Sequence, residues 1–508
     1  MTKNNMVLGL SGSLRNARYR GNVAPLLADL RSLATEVELA DYLARETKVR
    51  HQAFFEAGRD AGLPFDEIFA NLQSEQHRRG LSNSEAALAA GLWGALQGGA
   101  DISYASLADY FAVEGKSRDL DHLRSLVLAA DAFLISGPVY FGDRGSLTQS
   151  FIEFLTADAE CAAHVRGKVY GGIAVGAKRN GGQETTLIYQ IVDMTNLYAL
   201  AVGNDSRTTS QYGGTVLAGD VGTMAGDAYG FGTAVGTGAR VAAVTALNRI
   251  GGERSLADDA RIAVWLLQDD TDGRGGRIAR DFMAAVEADV PGVRFDLLDI
   301  TAEEVRRCIA CDLCPVRIGP RNDYRCVIAA GSDWFVRNHT TLVEADAIIV
   351  AAYSPVDRGD VRSVYQQFIE RTRYLRRDDY VFANRLVAPM IISEVGSDQN
   401  LRLRAMTSMV RHNTILHHPL IVRELDGALL RWESFVSNGV RFAETARRLT
   451  AGRIAAPDEV TGRNHYRPVG YVISKEKDGR DRESEAFEAV EKGRVAQREA
   501  ERARLRPA

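Results

Sequence analysis

Four of the chain's five cysteines fall within nineteen residues, as Cys308-Ile309-Ala310-Cys311-Asp312-Leu313-Cys314 and then Cys326. Three thiolates spaced C-x2-C-x2-C can wrap one corner of a cubane, and a fourth arriving from farther along closes the site, so the spacing favours a [4Fe–4S] cluster. Zinc, whose sites more often show two separated C-x2-C pairs, and a set without metal stay open as alternatives. Disulfides between cysteines three apart are strained, and such sparse cysteine usage fits a reducing, cytoplasmic compartment. Cys161, alone, reads as a small buried hydrophobe. His412, His417 and His418 lie together near the last apolar run of the second half, where core, surface and substrate-proximal placements all stay open and metal binding is the least favoured, and no G-x-S-x-G elbow supports hydrolysis.

A second kind of chemistry is written in three glycine-bearing loops. Ser11-Gly12-Ser13-Leu14-Arg15 and on to Asn22 follows an apolar run and opens a helical pattern. Backbone N–H groups there can hold a phosphate, with Ser13 and Asn22 as neutral donors and Arg15 as a charge. Ser136-Gly137-Pro138-Val139-Tyr140-Phe141-Gly142 places two adjacent aromatics on a Pro/Gly loop, where they could cover a planar ring. Ala177-Lys178-Arg179-Asn180-Gly181-Gly182-Gln183 again follows an apolar run and precedes a helical one. One phosphate loop and two ring loops at one sheet edge describe a mononucleotide site.

The elements that must position these residues occur twice. Near-continuous apolar runs at Met6–Leu10, Ala132–Ser136, Val169–Val175 and Gly214–Ala218 alternate with helical stretches. So do Arg261–Leu267, Phe295–Asp299, Ala347–Ala352, Val387–Ser393 and Pro419–Val422. Such runs read as buried parallel strands with crossover helices. The fold class expected is α/β: two doubly wound, parallel five-stranded sheets, with a helical insertion in the first. The expected domains are 1–250, interrupted by the insertion at about 43–119, then 260–455, then a charged C-terminal extension over 456–508. The insertion, with Phe54, Phe55, Phe65, Phe69 and Trp93, reads as a helical cap, a dimer surface or a lid.

The composition excludes other classes. Of 508 residues, 62 are Lys or Arg and 66 are Asp or Glu, a net charge of −4, which points away from nucleic acid or an anionic membrane as partner. No apolar run approaches the roughly 18 residues of a membrane span, and Met1–Leu10 has no basic start or cleavage site to read as a secretory signal.

The segments GSLR…GN, GPVYFGDRGSLTQSFIEFL and RNGGQETTL together resemble the NAD(P)H-dependent FMN reductases of the flavodoxin-like superfamily, over about residues 6–250. The resemblance implies FMN, its phosphate on Ser13, Arg15 and Asn22. It implies the isoalloxazine against Pro138, Val139, Tyr140, Phe141 and Gly142, flanked by Asn180, Gly181, Gly182 and Gln183. The cysteine segment with Val343–Val350 resembles the iron–sulfur flavoproteins, over about residues 261–450, and implies Cys308, Cys311, Cys314 and Cys326 as ligands of a [4Fe–4S] cluster. The second half departs from that family at its own flavin loops, Gln268–Arg277 and Tyr353–Gly359, which carry aspartates, so one FMN per chain is expected, in the first half. The function expected is a flavin-dependent oxidoreductase, with NAD(P)H as co-substrate and a small-molecule or protein electron acceptor. The two halves are expected to form a pseudo-dimer within the chain, compatible with further homo-oligomers. Alternatives are an NAD(P)H:quinone, azo or nitro reductase with structural cysteines, and a non-catalytic electron carrier.

Overall fold

The apolar runs become strands within a residue or two of where the sequence puts them, as β1 Met6–Ser11, β5 Val169–Gly176, β8 Ala260–Gln268, β10 Ala347–Ser354 and β11 Leu386–Ser393, while β3, Ala132–Tyr140, runs four residues past its expected end. The computed structural model describes residues 5–13, 24–47, 58–68, 70, 80–111, 118–205, 210–218, 224–254, 260–311, 313–316, 321, 323–354, 362–378, 380–394 and 399–456. Arg15, Asn22, Phe54, Phe55, Phe69, Asp312, the loop 355–361 and the extension 457–508 lie outside them. Chain compactness defines two units, Met1–Thr245 and Ala246–Ala508. The division falls inside the helix Ala228–Gly252, a few residues before the polar stretch 251–259.

In the first unit β1 pairs in parallel with β2 (Asp101–Ser106) and with β3, aligning Val7 with Ile102 and with Ala132. β3 continues to β5, which pairs with β6 (Leu200–Ala201) at one end and β7 (Gly214–Leu217) at the other. A short β4, Asp143–Arg144, folds back antiparallel on the end of β3. The spatial order is therefore second, first, third, fourth and fifth strand, the doubly wound order that leaves a ligand crevice at the carboxyl ends.

Here the expected insertion at 43–119 is corrected. β2 lies inside it, and so does the helix Asn83–Gln97, whose residues Ser84 to Ala95 are all buried. That helix packs on the sheet and crosses the helix Ala228–Gly252 at glycines: a Cβ on Gly238 would lie 1.7 Å from the Gly91 carbonyl oxygen. The Ala/Gly-rich sequence is the condition for two backbones to meet this closely. Trp93 is buried against the sheet-side helices and donates its indole N–H to the Leu33 carbonyl at 3.0 Å, while Phe65 is exposed.

The second unit repeats the order. β8 lies between β9 (Val293–Asp299) and β10; β11 follows, pairing with β12 (Ile415–Leu416) and β13 (Leu420–Leu425), the latter closed by an antiparallel β14, Ala428–Leu430. Its core is aromatic, with Trp265 edge-on to Phe368 at 5.2 Å and Phe335 against Phe368 at 4.8 Å. The cysteine segment is the irregular stretch between β9 and the helix Trp334–Glu344.

Candidate functional site

At the carboxyl edge of the first unit's sheet, β1 ends in Ser11-Gly12-Ser13, with Ser11 and Ser13 buried. The Gly12 N–H donates to the Ser136 carbonyl at 2.7 Å, which joins this turn to the end of β3. Between the two strand ends stands Thr148, whose buried Oγ1 has no hydrogen-bond partner. A Cβ on Gly12 would come within 2.4 Å of that oxygen, and one on Gly137 within 3.1 Å. Two glycines and an orphaned hydroxyl thus line one cradle, and a buried hydroxyl without a partner costs free energy unless something supplies one.

Phe141 and Gly142 turn the chain with φ of 52° and 80°. Tyr140 and Phe141 are both exposed, Phe141 completely, so neither serves the core. Pro138 and Val139 are half-buried beneath them. The third loop comes directly against the second: Asn180 has φ 60° and Gly182 φ 101°, and a Cβ on Gly182 would meet the Gly142 Cα at 2.6 Å. The Gln183 side chain is buried, bonded within its loop and, at 3.4 Å, to the Val216 carbonyl on β7. Its Oε1 accepts from the Gly181 N–H at 2.9 Å and its Nε2 donates to the Lys178 carbonyl at 2.8 Å. Gln183 therefore shapes the loop, whereas Asn180 and Gly181 stand at its exposed rim. Arg144 anchors the hairpin after Phe141 through Gln149 at 2.9 Å and Asp193 at 2.5 Å.

Sequence reasoning did not single out the other side of this edge. The helix Asn83–Gln97 begins with a capping box, in which the Ser82 Oγ accepts from the Glu85 N–H and the Glu85 carboxylate accepts from the Ser82 N–H at 2.9 Å. Ser136 donates its hydroxyl to the Ser84 carbonyl at 2.8 Å, tying this helix start to β3. Glu85 is wholly buried and also accepts from the Tyr104 hydroxyl at 2.8 Å. The positive end of a long crossover helix therefore lies at the same strand edge as Ser13.

In the second unit, Cys308, Cys311, Cys314 and Cys326 line a single hollow, with Val327 and Ile328 as apolar wall and Arg373 and Arg377 as cations. Ala310 turns the chain between the first two cysteines with φ 50°. The Val316 N–H donates to the Arg325 carbonyl at 3.1 Å, binding the Cys314 arm to the Cys326 arm. Cys314 and Cys326 are buried, Cys308 and Cys311 half-buried. Burial pushes the Cys314 thiol up to about 12; the neighbouring sulfurs of Cys326, Cys311 and Cys308 add to this and Arg377 opposes it. Among the described residues, no three His, Cys, Asp or Glu side chains are grouped to hold a single metal ion.

The cysteine segment hangs from one buried ion pair. Arg371 donates to the Asp333 carboxylate at 2.9 Å, to the Arg306 carbonyl at 2.9 Å and to the Tyr324 hydroxyl at 2.7 Å. Asp333 also accepts from the Arg306 N–H at 2.8 Å. Burial works against the Arg371 charge, but Tyr324, Asp333 and Cys326 outweigh it.

Residues 77–211 match the family described as NADPH-dependent FMN reductase. The chain carries an FMN reductase-like oxidoreductase domain. Its matched span opens just before the helix Asn83–Gln97, so the capping box at Ser82 and Glu85 belongs to this domain and the region 48–76 precedes it. The chain is 35% identical over 129 residues to an iron–sulfur flavoprotein of Methanocaldococcus jannaschii, covering 25% of this chain and 66% of that one. It is 29% identical over 96 residues to an iron–sulfur flavoprotein of Methanosarcina thermophila, covering 19% of this chain and 48% of that one. The matches thus span between about half and two thirds of these relatives' lengths. A WrbA-like flavodoxin from Agrobacterium tumefaciens superposes with a TM-score of 0.25 at 14% identity, over 37% of this chain and 98% of that one. An apo NADH:FMN oxidoreductase gives 0.24 at 15%, over 41% and 97%.

The bland assignments fare simply. Cys161 is fully buried, its thiol pushed up to about 12 by burial first and by Asp158 second. His412 and His417 are buried within the second unit, His412 against the Thr372 hydroxyl at 3.1 Å. No helix among the described residues is long and apolar enough to cross a membrane.

Proposed function

We propose that the protein is a flavin-dependent oxidoreductase built from two flavodoxin-like units, passing electrons from NAD(P)H or another donor to a small-molecule or protein acceptor. FMN would sit in the first unit and a [4Fe–4S] cluster in the second. The observation that carries the reading is the convergence of Cys308, Cys311, Cys314 and Cys326 on one hollow, in a chain whose other unit has an FMN reductase-like domain.

In the first unit the residues suit a flavin mononucleotide. Ser13 and the positive end of the helix Asn83–Gln97 would hold the phosphate, and the Thr148 hydroxyl would gain the partner it lacks. Tyr140 and Phe141 would cover the ring, and Gly182 keeps the facing loop clear of side-chain bulk at Gly142. In the second unit four sulfurs, an apolar wall and two guanidiniums suit an anionic thiolate cluster; Arg373 and Arg377 offset its charge. When bound, FMN exchanges two electrons as hydride or one at a time, and a cluster exchanges one, so the pair would connect a hydride donor to a one-electron partner.

A second reading, a quinone, azo or nitro reductase with structural cysteines, is favoured by the lack, among the described residues, of a three-ligand group for a single ion. Purification without oxygen, followed by flavin, iron and sulfide assays, separates the two. One FMN with a four-iron cluster is the expected result, and Cys314→Ser should lower iron and the brown absorbance while flavin stays bound. Flavin with no iron at all would leave the plain reductase; zinc in place of iron would leave a structural site.

A further inference from the structure

The second unit has the strand order of the first, so the turn after β8 stands where the phosphate turn after β1 stands. In the first unit that turn is Ser11-Gly12-Ser13; in the second it begins Gln268-Asp269-Asp270. Asp269 is buried, 4% exposed, and a buried carboxylate requires donors. It has three. Its Oδ1 accepts from the Asp270 N–H at 2.8 Å and the Gly275 N–H at 2.7 Å, and its Oδ2 accepts from the Gly276 N–H at 2.8 Å. Gly275 and Gly276 open the helix Arg274–Asp289, so these are first-turn N–H groups with no acceptor inside the helix, at its positive end. They are the groups a bound phosphate would use.

We propose that Asp269 is an internal anion standing in the second unit where a flavin phosphate would lie, and that it closes this unit to FMN. The space agrees with the hydrogen bonds. A Cβ on Gly275 would lie 2.6 Å from the Asp269 Oδ1 and 2.8 Å from the Tyr353 Cβ, so carboxylate and tyrosine fill the glycine cradle. In the first unit the corresponding cradle faces the uncharged, orphaned Thr148 hydroxyl. Three of the cations nearby, Arg274, Arg277 and Arg362, are committed as well. Arg274 bonds Glu394 at 2.6 Å, with Glu424 and the Asp270 carboxylate each at 3.4 Å. Arg362 donates to the Asp269 carbonyl at 2.8 Å, and Arg277 to the Asp272 carbonyl at 2.5 Å. The Tyr353 hydroxyl, at the position of a ring loop, donates to Glu394 at 2.7 Å. A phosphate arriving here would meet four carboxylates, those of Asp269, Asp270, Glu394 and Glu424, with the Asp270, Gly275 and Gly276 N–H groups already engaged by Asp269.

This deepens the reading of the first unit as the flavin site but is argued from the second unit alone, and its test is read on the full chain. Asp269→Ser should melt at a lower temperature than wild type in chloride buffer, because three buried N–H groups lose their acceptor. Inorganic phosphate at matched ionic strength should restore most of that loss and shift wild type much less. Asp269→Asn, which keeps an acceptor oxygen without the charge, should fall between them and serves the same comparison if the serine variant does not fold. A variant as stable as wild type in chloride, or equal phosphate shifts in both, overturns the proposal. So do two FMN per wild-type chain. A chain that takes up no FMN overturns the first-unit reading instead and leaves the phosphate comparison on Asp269 to be judged by itself.

Discussion

Asp333 is completely buried and Arg371 nearly so, and the cysteine segment meets both. A buried ion pair contributes little net stability by itself, but losing one partner leaves a charge without water or donor. Arg371→Met should therefore cost about 3–5 kcal/mol of stability, read as a lower urea midpoint, whereas Arg371→Met with Asp333→Leu should recover much of it. Two buried imidazoles contribute to the pH dependence. Burial, helped by nearby arginines, holds His412 and His417 at about 3, against about 6.5 once unfolded. Between those values the unfolded chain binds more protons, so the stability from the two neutral rings is complete above about pH 6.5 and is lost as pH falls towards 3. His417→Leu should flatten the difference between unfolding midpoints at pH 7 and pH 5. These residues also mark what single residue types disclose. A cysteine spacing and a Tyr-Phe pair between Pro and Gly carry chemistry in their order. The Arg371–Asp333 pair is 38 positions apart, and no local pattern announces it.

At the scale of elements, the sheet strands with long apolar runs were legible because burial on both faces leaves no polar alternation. β2 was not, since Asp-Ile-Ser-Tyr-Ala-Ser alternates and is only partly buried along its length. The helix Asn83–Gln97 was taken into an insertion because Ala, Gly and Leu surround it on all sides, which removes the amphipathic stripe that marks a surface helix. A signal was present nonetheless: Ser82-x-x-Glu85 ahead of an apolar run is a capping box, and Gly98-Gly99 follows its end. Arg15 and Asn22, the expected phosphate donors, lie outside the described residues, while the helix start at Ser82, which is tied to β3 through Ser136 and Ser84, carried no such expectation. In the second unit, the three aspartates of the first turn were legible as a departure. Their consequence was not, because whether a carboxylate repels an incoming anion or replaces it depends on three N–H directions that sequence does not encode.

Over the whole molecule, each unit by itself runs second, first, third, fourth and fifth strand, and each breaks its last position into two short pieces: β6 and β7 in one, β12 and β13 in the other. The units differ in where they take on extra chain: between β1 and the helix Asn83–Gln97 in the first, and between β9 and the helix Trp334–Glu344 in the second. The first excursion is clasped at its neck. The Leu81 N–H donates to the Glu46 carbonyl at 2.8 Å, and Thr47 bridges Leu81 in parallel. Chain that leaves and returns through one such clasp is a removable cassette. Replacing residues 49–79 by a four-residue Gly/Ser turn shortens the closed loop about eightfold, which should lower its closure cost by about 2 kcal/mol. The excised protein should melt no lower than the parent and keep its flavin, and the same neck would accept a foreign domain whose termini lie close together. A loss of folding on excision would mean that the cassette, not the clasp, holds the first unit's edge in place.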